Sequence, residues 1–118
     1  MKDVDKEKER RKHSRISSLN LLSYLCIDKN DEIVAQGAGR TLNVSEGGIL
    51  LETHTPIDPQ HTVSLVIAME DELIDIRGKV VHNRTGKDGR FLTGIQFIET
   101  DESARDILKK FITEFRNE

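Results

Sequence analysis

At 118 residues the chain is long enough for one folded domain and too short for two. Its single cysteine, Cys26, excludes an internal disulfide and a multi-cysteine metal site. No apolar run approaches the ~18 residues that cross a bilayer. We therefore expect a cytoplasmic protein without membrane insertion. The net charge of −3 is unevenly distributed, because residues 1–15 hold seven of the 18 Lys and Arg but only four of the 21 Asp and Glu. A basic arm on an acidic domain suits a small anion better than a nucleic acid.

The N-terminal segment differs from the rest of the chain in composition. It mixes charges of both signs with almost no apolar side chains, so it cannot bury enough surface to offset the entropy of ordering. We therefore expect a flexible charged arm over residues 1–9 and a folded domain over residues 10–118.

Six apolar segments rich in Val, Ile and Leu follow, separated by turn-forming residues. The predicted strands are residues 19–27, 33–42, 49–53, 63–69, 73–81 and 91–98. Gly37 and Gly39, inside the second strand, predict a bulge or a bend. Six such strands with short connections indicate an antiparallel barrel or sandwich.

The hydrophobic period of the last segment is that of a helix rather than a strand. Thr100 or Asp101 can cap its N-terminus. The apolar positions that share one face are Ile107, Leu108, Phe111, Ile112 and Phe115. A helix with one apolar face should lie against the barrel or against a second subunit, and the sequence leaves monomer and homodimer open.

Two short polar clusters carry the chemistry of the chain. Arg11 and Arg15 form an R-x-x-x-R pair, and a planar guanidinium can donate two parallel hydrogen bonds to a phosphate or to O6 and N7 of guanine. Asn43, Ser45 and Gly48 form an N-x-S-x-x-G turn, which offers an amide and a hydroxyl beside a residue without a Cβ. Each cluster alone is also typical of a solvated charge run or an ordinary turn.

Together, in this order and about thirty residues apart, the clusters resemble the motifs of the PilZ domain family, whose members bind the bacterial second messenger cyclic di-GMP. The resemblance covers roughly residues 10–115. It implies a six-stranded antiparallel β-barrel of the PilZ-like split-barrel kind, with a C-terminal α-helix and a flexible N-terminal arm. It also implies cyclic di-GMP as the ligand and no further cofactor.

The resemblance assigns ligand-binding roles to six residues. The grasping arginines are Arg11 and Arg15, and Arg10 beside them would favour a stacked pair of ligand molecules. Asn43, Ser45 and Gly48 match the second motif. Position 43 is Asp in many members, and Asn lacks the negative charge that attracts N1–H and N2–H₂ of guanine.

Catalysis and metal binding have no support in the sequence. The four histidines lack the spacing of a metal site, and no G-x-S-x-G elbow surrounds a serine. Cys26 follows an apolar strand and is expected to be a small core residue. Arg40, near the second motif, is expected to be an exposed strand residue that could add positive potential.

The resemblance implies a receptor that binds cyclic di-GMP through the arm and the turn and relays it to a partner protein by ordering the arm, in the control of motility or biofilm formation. Two alternatives stay open: a PilZ-like protein–protein interaction module that does not bind nucleotide, and a small barrel that binds single-stranded nucleic acid. The absence of Trp and the acidic barrel disfavour the nucleic-acid binder, which would stack bases on aromatic side chains. No enzyme activity is expected.

Overall fold

Six antiparallel strands and one helix make up the fold. The computed structural model describes residues 21–69 and 72–117, without the side chains of residues 68, 69, 72 and 99. The strands are β1 (Leu21–Ile27), β2 (Ile33–Val44), β3 (Gly48–Thr53), β4 (Thr62–Met69), β5 (Glu72–Thr85) and β6 (Phe91–Glu99). A 3-10 turn, Lys87–Gly89, precedes β6, and helix α1 spans Glu102–Arg116.

The strands close into a barrel in the order β1-β2-β3-β6-β5-β4. Closure comes from β1, which pairs with β2 on one side and with β4 on the other. Each of the six strands therefore has two neighbours, which removes the exposed edges that an open sheet would leave. The predicted six-stranded antiparallel barrel with a C-terminal helix is confirmed.

The interior of the barrel follows from the period of two along each strand. Leu22, Tyr24 and Cys26 alternate inward on β1, and every second residue of β4 from Val63 to Ile67 is fully buried. The predicted core role of Cys26 is confirmed, since its side chain is only 2% exposed. Burial raises the pKa of the Cys26 thiol, with nearby Asp58 as the second cause, so the reactive thiolate is disfavoured.

Helix α1 covers one side of the barrel, against β4 and β5. Its N-terminus is capped by Asp101, whose carboxylate accepts a hydrogen bond from the backbone N–H of Ala104 at 2.8 Å. Ile107, Leu108 and Phe111 are buried and belong to the same core as the barrel side chains. The helix thus continues the barrel's core, as its apolar face predicted.

The register of the strands changes at single extra residues rather than at the glycines of β2. Leu42 is one such residue, because Thr41 pairs with Leu51 and Asn43 with Leu50. Val81 is another, because Val80 pairs with Ile95 and His82 with Gly94. These bulges bend the strands and change which side chains face outward.

Gly37 has a packing role instead of the predicted bulge or bend. It pairs directly with Tyr24 on β1, without a register shift at that position. A Cβ on Gly37 would lie 2.8 Å from the Tyr24 hydroxyl oxygen, so the tyrosine side chain occupies the space that a larger residue would need. Tyr24 is only 5% exposed, and its burial raises the pKa of the phenol.

Gly48, the first residue of β3, marks a very close approach of β3 to β6. It pairs with Gln96, and a Cβ at this position would lie 2.5 Å from the carbonyl oxygen of Ile95. Because the obstructing atom belongs to the backbone of a barrel strand, it cannot move aside cheaply. Glycine at position 48 is therefore required by the barrel itself.

We predict that Gly48→Ala destabilises the fold by about 1–3 kcal/mol, because the added methyl group forces β3 away from β6. Urea unfolding followed by circular dichroism measures the change in the free energy of unfolding.

Gly47→Ala is the matched control, because a Cβ on the neighbouring Gly47 would meet no atom within 4 Å. It should change the free energy of unfolding by less than about 0.5 kcal/mol. Equal losses in the two variants would contradict the steric argument.

Candidate functional site

A groove on the outer face of the barrel brings the second sequence motif together with β5 and β6. The cavity has a volume of about 430 Å³. It is lined by residues 43–45 and 47–50 of the β2–β3 hairpin, by Val81 and His82 of β5, and by residues 94–96 of β6. Asn43, Ser45 and Gly48, which sequence analysis grouped, therefore share one surface.

The β2–β3 turn is held by hydrogen bonds on both of its sides. Inside the turn, the backbone N–H of Ser45 donates to the carbonyl of Gly48 at 2.9 Å. Towards the barrel, the N–H of Phe97 donates to the carbonyl of Gly47, also at 2.9 Å. The turn is thus tied to β6, and the exposed side chains of Asn43 and Ser45 stand on a fixed backbone.

Both polar side chains of the motif use an oxygen atom within the turn. The carboxamide oxygen of Asn43 accepts from the backbone N–H of Val44 at 2.9 Å. The hydroxyl oxygen of Ser45 accepts from the N–H of Gly47 at 3.3 Å. The Asn43 bond joins neighbouring residues, and the Ser45 bond spans two residues, as in a Ser turn.

Two glycines, Gly48 and Gly94, belong to the lining of the groove. Gly48 lies against the backbone of β6, as described above, and Gly94 lies beneath the ring of His82. A Cβ on Gly94 would lie 2.5 Å from Cε1 of that ring. At both positions the space that a Cβ would need is already occupied, by the backbone of β6 at Gly48 and by the His82 ring at Gly94.

The bulge in β5 explains how two consecutive residues come to line the same groove. In a regular strand, neighbouring side chains point to opposite faces of the sheet. Val81 and His82 are both exposed and both line the cavity, at the point where the register between β5 and β6 shifts. The bulge thus adds an apolar and an imidazole side chain to one wall.

The described lining of the groove carries no Lys, Arg, Asp or Glu side chain. Its polar side chains are those of Asn43, Ser45, His82 and Gln96. Arg40, as predicted, is an exposed strand residue, but Glu52 accepts a hydrogen bond from its Nε at 3.1 Å. Arg90, just before β6, also approaches Glu52, at 3.8 Å, so both arginines are paired with the same carboxylate.

The predicted arginines Arg10, Arg11 and Arg15 lie outside the described residues, and so does the predicted arm. His82 and Gln96, which the sequence did not single out, line the groove. No local pattern marks them, because their position depends on the order of the strands and on the β5 bulge.

The described residues contain no group of three or more His, Cys, Asp or Glu side chains that could hold a metal ion. Among the same residues, no helix combines the length and the apolar character of a membrane span.

Solved structures similar to this chain share its fold. The PilZ domain of YcgR from Escherichia coli, solved with c-di-GMP, matches with a TM-score of 0.58 and 11% identity over 82% of each chain. Apo MrkH of K. pneumonia matches with a TM-score of 0.56 and 20% identity over 81% of this chain and 46% of that one. A second MrkH crystal structure gives a TM-score of 0.56 and 19% identity, with 81% of this chain and 45% of that one covered.

The chain thus spans less than half the length of the MrkH chains it matches. No curated protein sequence matches it significantly. The family model of the PilZ domain, however, matches residues 9–114, nearly the whole chain. With its closed barrel and its motif turn, the chain belongs to the PilZ domain family.

Proposed function

We propose that this protein is a cytoplasmic receptor for cyclic di-GMP. The observation that carries the proposal is the groove in which Asn43, Ser45 and Gly48 meet on the outer face of the barrel. A neighbouring fold, the PilZ domain of YcgR, was solved with this ligand. The groove volume of about 430 Å³ is within the range of small-molecule sites.

The charge of the ligand supports a role for the arginines. Cyclic di-GMP carries two phosphates, whereas the described lining of the groove has no cationic side chain. A dianion held against neutral groups alone would lose hydration without gaining an opposite charge. We therefore propose that Arg11 and Arg15 supply the positive charge and that Arg10 serves a second, stacked ligand molecule.

The position at which β1 begins supports the proposal that these arginines can reach the groove. Leu21 pairs with Arg40, only three residues before Asn43 on β2, so β1 begins at the end of the barrel that carries the groove. Arg15 precedes Leu21 by six residues, and six residues can span about 20 Å when extended. The arm and the turn can therefore contact one molecule.

We further propose that the ligand orders the arm, taken as residues 1–9 with the motif that follows it. Ligand phosphates would neutralise Arg11 and Arg15 and hold the arm over the groove. A partner protein would then recognise the changed surface, in the control of motility or biofilm formation. The domain boundary at residue 10 is part of the same proposal.

The alternatives differ in what the groove would do. A PilZ module used only for protein contacts would not need the neutral groove and the arginine pair together. A binder of single-stranded nucleic acid would need exposed aromatic side chains on which bases stack. None of the five aromatic residues of this chain is exposed, which argues against that function.

We predict that wild-type protein binds cyclic di-GMP and that Arg15→Ala weakens the affinity at least tenfold. The expected loss reflects one charge-assisted hydrogen-bonded contact, about 1.5–3 kcal/mol. Isothermal titration calorimetry measures both dissociation constants.

Lys6→Ala is the control, because it removes the same charge from the arm outside the motif. Its affinity should stay within about twofold of wild type, since a charge without a specific contact to the ligand contributes little. If the two variants bind alike, the arginine has no specific role in the site.

We also predict that Gly94→Ala lowers the affinity for cyclic di-GMP about fivefold, a change of roughly 1 kcal/mol. The added Cβ would displace the His82 ring, because the ring is the end of a movable side chain, and the ring would then fill part of the groove. The free energy of unfolding should fall by less than about 1 kcal/mol. Calorimetric titration and urea unfolding measure the two quantities.

Removal of the ring tests this explanation. The double variant His82→Ala/Gly94→Ala should bind within about twofold of His82→Ala alone, because no ring remains to be displaced. A persistent fivefold difference between those two proteins would show that Gly94 acts in another way.

A further inference from the structure

We infer that the first half of β2 is a dimerisation edge, to which a second copy of this chain adds its own β2 in antiparallel orientation. The segment concerned, residues 33–38, is the open edge of the barrel. The inference goes beyond the proposed binding of cyclic di-GMP. It rests on the pairing of β2, on the composition of the open edge and on the charges at its two ends.

The barrel is closed, but β2 is longer than the strand beside it. β3 pairs with β2 only over residues 40–44. The chain bends after Thr53, whose hydroxyl donates to the carbonyl of Thr55 at 2.7 Å, and the carbonyl of Ile57 then accepts from the side chain of Asn83 on β5. Among the described strands, β1 alone therefore bonds to the open edge, and the opposite side of its backbone has no strand partner.

Both faces of the open edge are exposed. In a barrel strand, every second side chain normally points into the core. All six residues of the open edge are exposed instead, with Ile33 at 60% and Val34 at 48%. A strand added here would remove these two large apolar side chains from water, in addition to bonding to the backbone.

The sequence of the open edge lacks the residues that usually prevent strand addition. Exposed edges are commonly protected by lysine, by proline or by inward-pointing charges. The open edge reads Ile-Val-Ala-Gln-Gly-Ala and has neither a charge nor a proline. Its irregularity is the bulge at Val34, and the pairing with β1 is regular from Ala35 onward. Ala35, Gly37 and Ala38 are small, so a second strand can approach the backbone closely.

The charges at the two ends favour a second copy of the same chain. Asp31 and Glu32 precede the open edge in the β1–β2 turn and are exposed, and Arg40 follows it with 52% of its side chain exposed. In an antiparallel pair, the start of one segment lies beside the end of the other. Acidic and basic ends thus meet twice, whereas a parallel pair would bring like charges together.

Two-fold symmetry limits the assembly to two copies. When identical segments pair in antiparallel orientation, each uses the same surface, so no further edge remains for a third chain. An edge of six residues makes a small interface. We therefore expect a reversible dimer with a dissociation constant on the order of 10–100 μM.

Sedimentation equilibrium of the full chain, over about 1 μM to 1 mM, measures this constant. Cyclic dinucleotide is left out, and a reductant keeps Cys26 from forming an intermolecular disulfide. Hydrogen exchange locates the contact, because alternate N–H groups of a strand face opposite sides. About half of the amides in the open edge should exchange more slowly at high protein concentration, and those of the β1–β2 turn should not.

Val34→Lys should raise the dissociation constant of the dimer at least tenfold, because it replaces an apolar contact with a charge on the edge. Leu73→Lys is the matched control, since Leu73 is an apolar residue of β5 that is 69% exposed and lies outside the open edge. Its dissociation constant should stay within about twofold of wild type. Urea unfolding followed by circular dichroism checks that both variants are folded.

A mixture of two charge variants tests the antiparallel orientation. Glu32→Lys and Arg40→Glu should each dimerise at least tenfold more weakly than wild type, because like charges then meet at both ends of the pair. Mixed in equal amounts, the two variants should associate with each other, since both ends then join opposite charges. Sedimentation with a fluorescent label on one variant detects this mixed dimer.

Three results would overturn the inference. A wild-type chain that stays monomeric up to about 1 mM has no such dimer, and the open edge is then left for a strand of another protein. Equal weakening by Val34→Lys and Leu73→Lys would place the interface elsewhere. Charge variants that do not recover association when mixed would exclude the antiparallel pair. None of these results bears on the proposed receptor function, because every measurement is made without the nucleotide.

Discussion

The close approach of β3 to β6 is the constraint on which the groove depends. At Gly48 the two backbones come so near that no side chain fits between them. This contact seats the β2–β3 turn on β6, where the N–H of Phe97 bonds the carbonyl of Gly47. The motif turn is therefore part of the barrel wall rather than a loop that projects from it, and the proposed ligand would meet side chains that are already positioned.

The rest of the barrel supplies rigidity to that wall. Inward side chains of the strands and the buried face of α1 form one continuous core beneath the groove. The bulges at Leu42 and Val81 then adjust the outer surface, because each changes the direction of the side chains that follow it. The result is a groove lined by neutral polar side chains and small residues, so the positive charge for the proposed ligand has to come from elsewhere in the chain.

Much of this could be predicted from the sequence, because apolar period and turn residues are local signals. The six strands, the helix and its apolar face, and the buried Cys26 all follow from such patterns. The end of β5 does not follow from such patterns, because residues 82–85 are mostly polar and lack apolar alternation. They form a strand only because β6 supplies hydrogen-bonding partners for them. His82 and Gln96 were missed for the same reason, since their place in the groove depends on β6 lying between β3 and β5.

The orientation of Asn43 shows a further limit of prediction from sequence. The residue type allows a donor or an acceptor towards a ligand, and only the bond to Val44 shows which one is used internally. Similarly, the sequence identifies Gly48 as a residue without a Cβ, and only the fold shows that a Cβ there would meet the backbone of β6. Motif residues can thus be found from the sequence while their physical roles depend on neighbours distant along the chain.

The packing of Tyr24 over Gly37 has a consequence for the evolution of this barrel. The phenol fills the volume that any larger residue at position 37 would need, and it does so from the adjacent strand. Neither position can change in size alone: a bulkier residue at 37 requires a smaller one at 24, and loss of the ring leaves a gap above the glycine. Among homologues of this chain, the two alignment columns should accordingly covary, as a compensating pair of small and large residues.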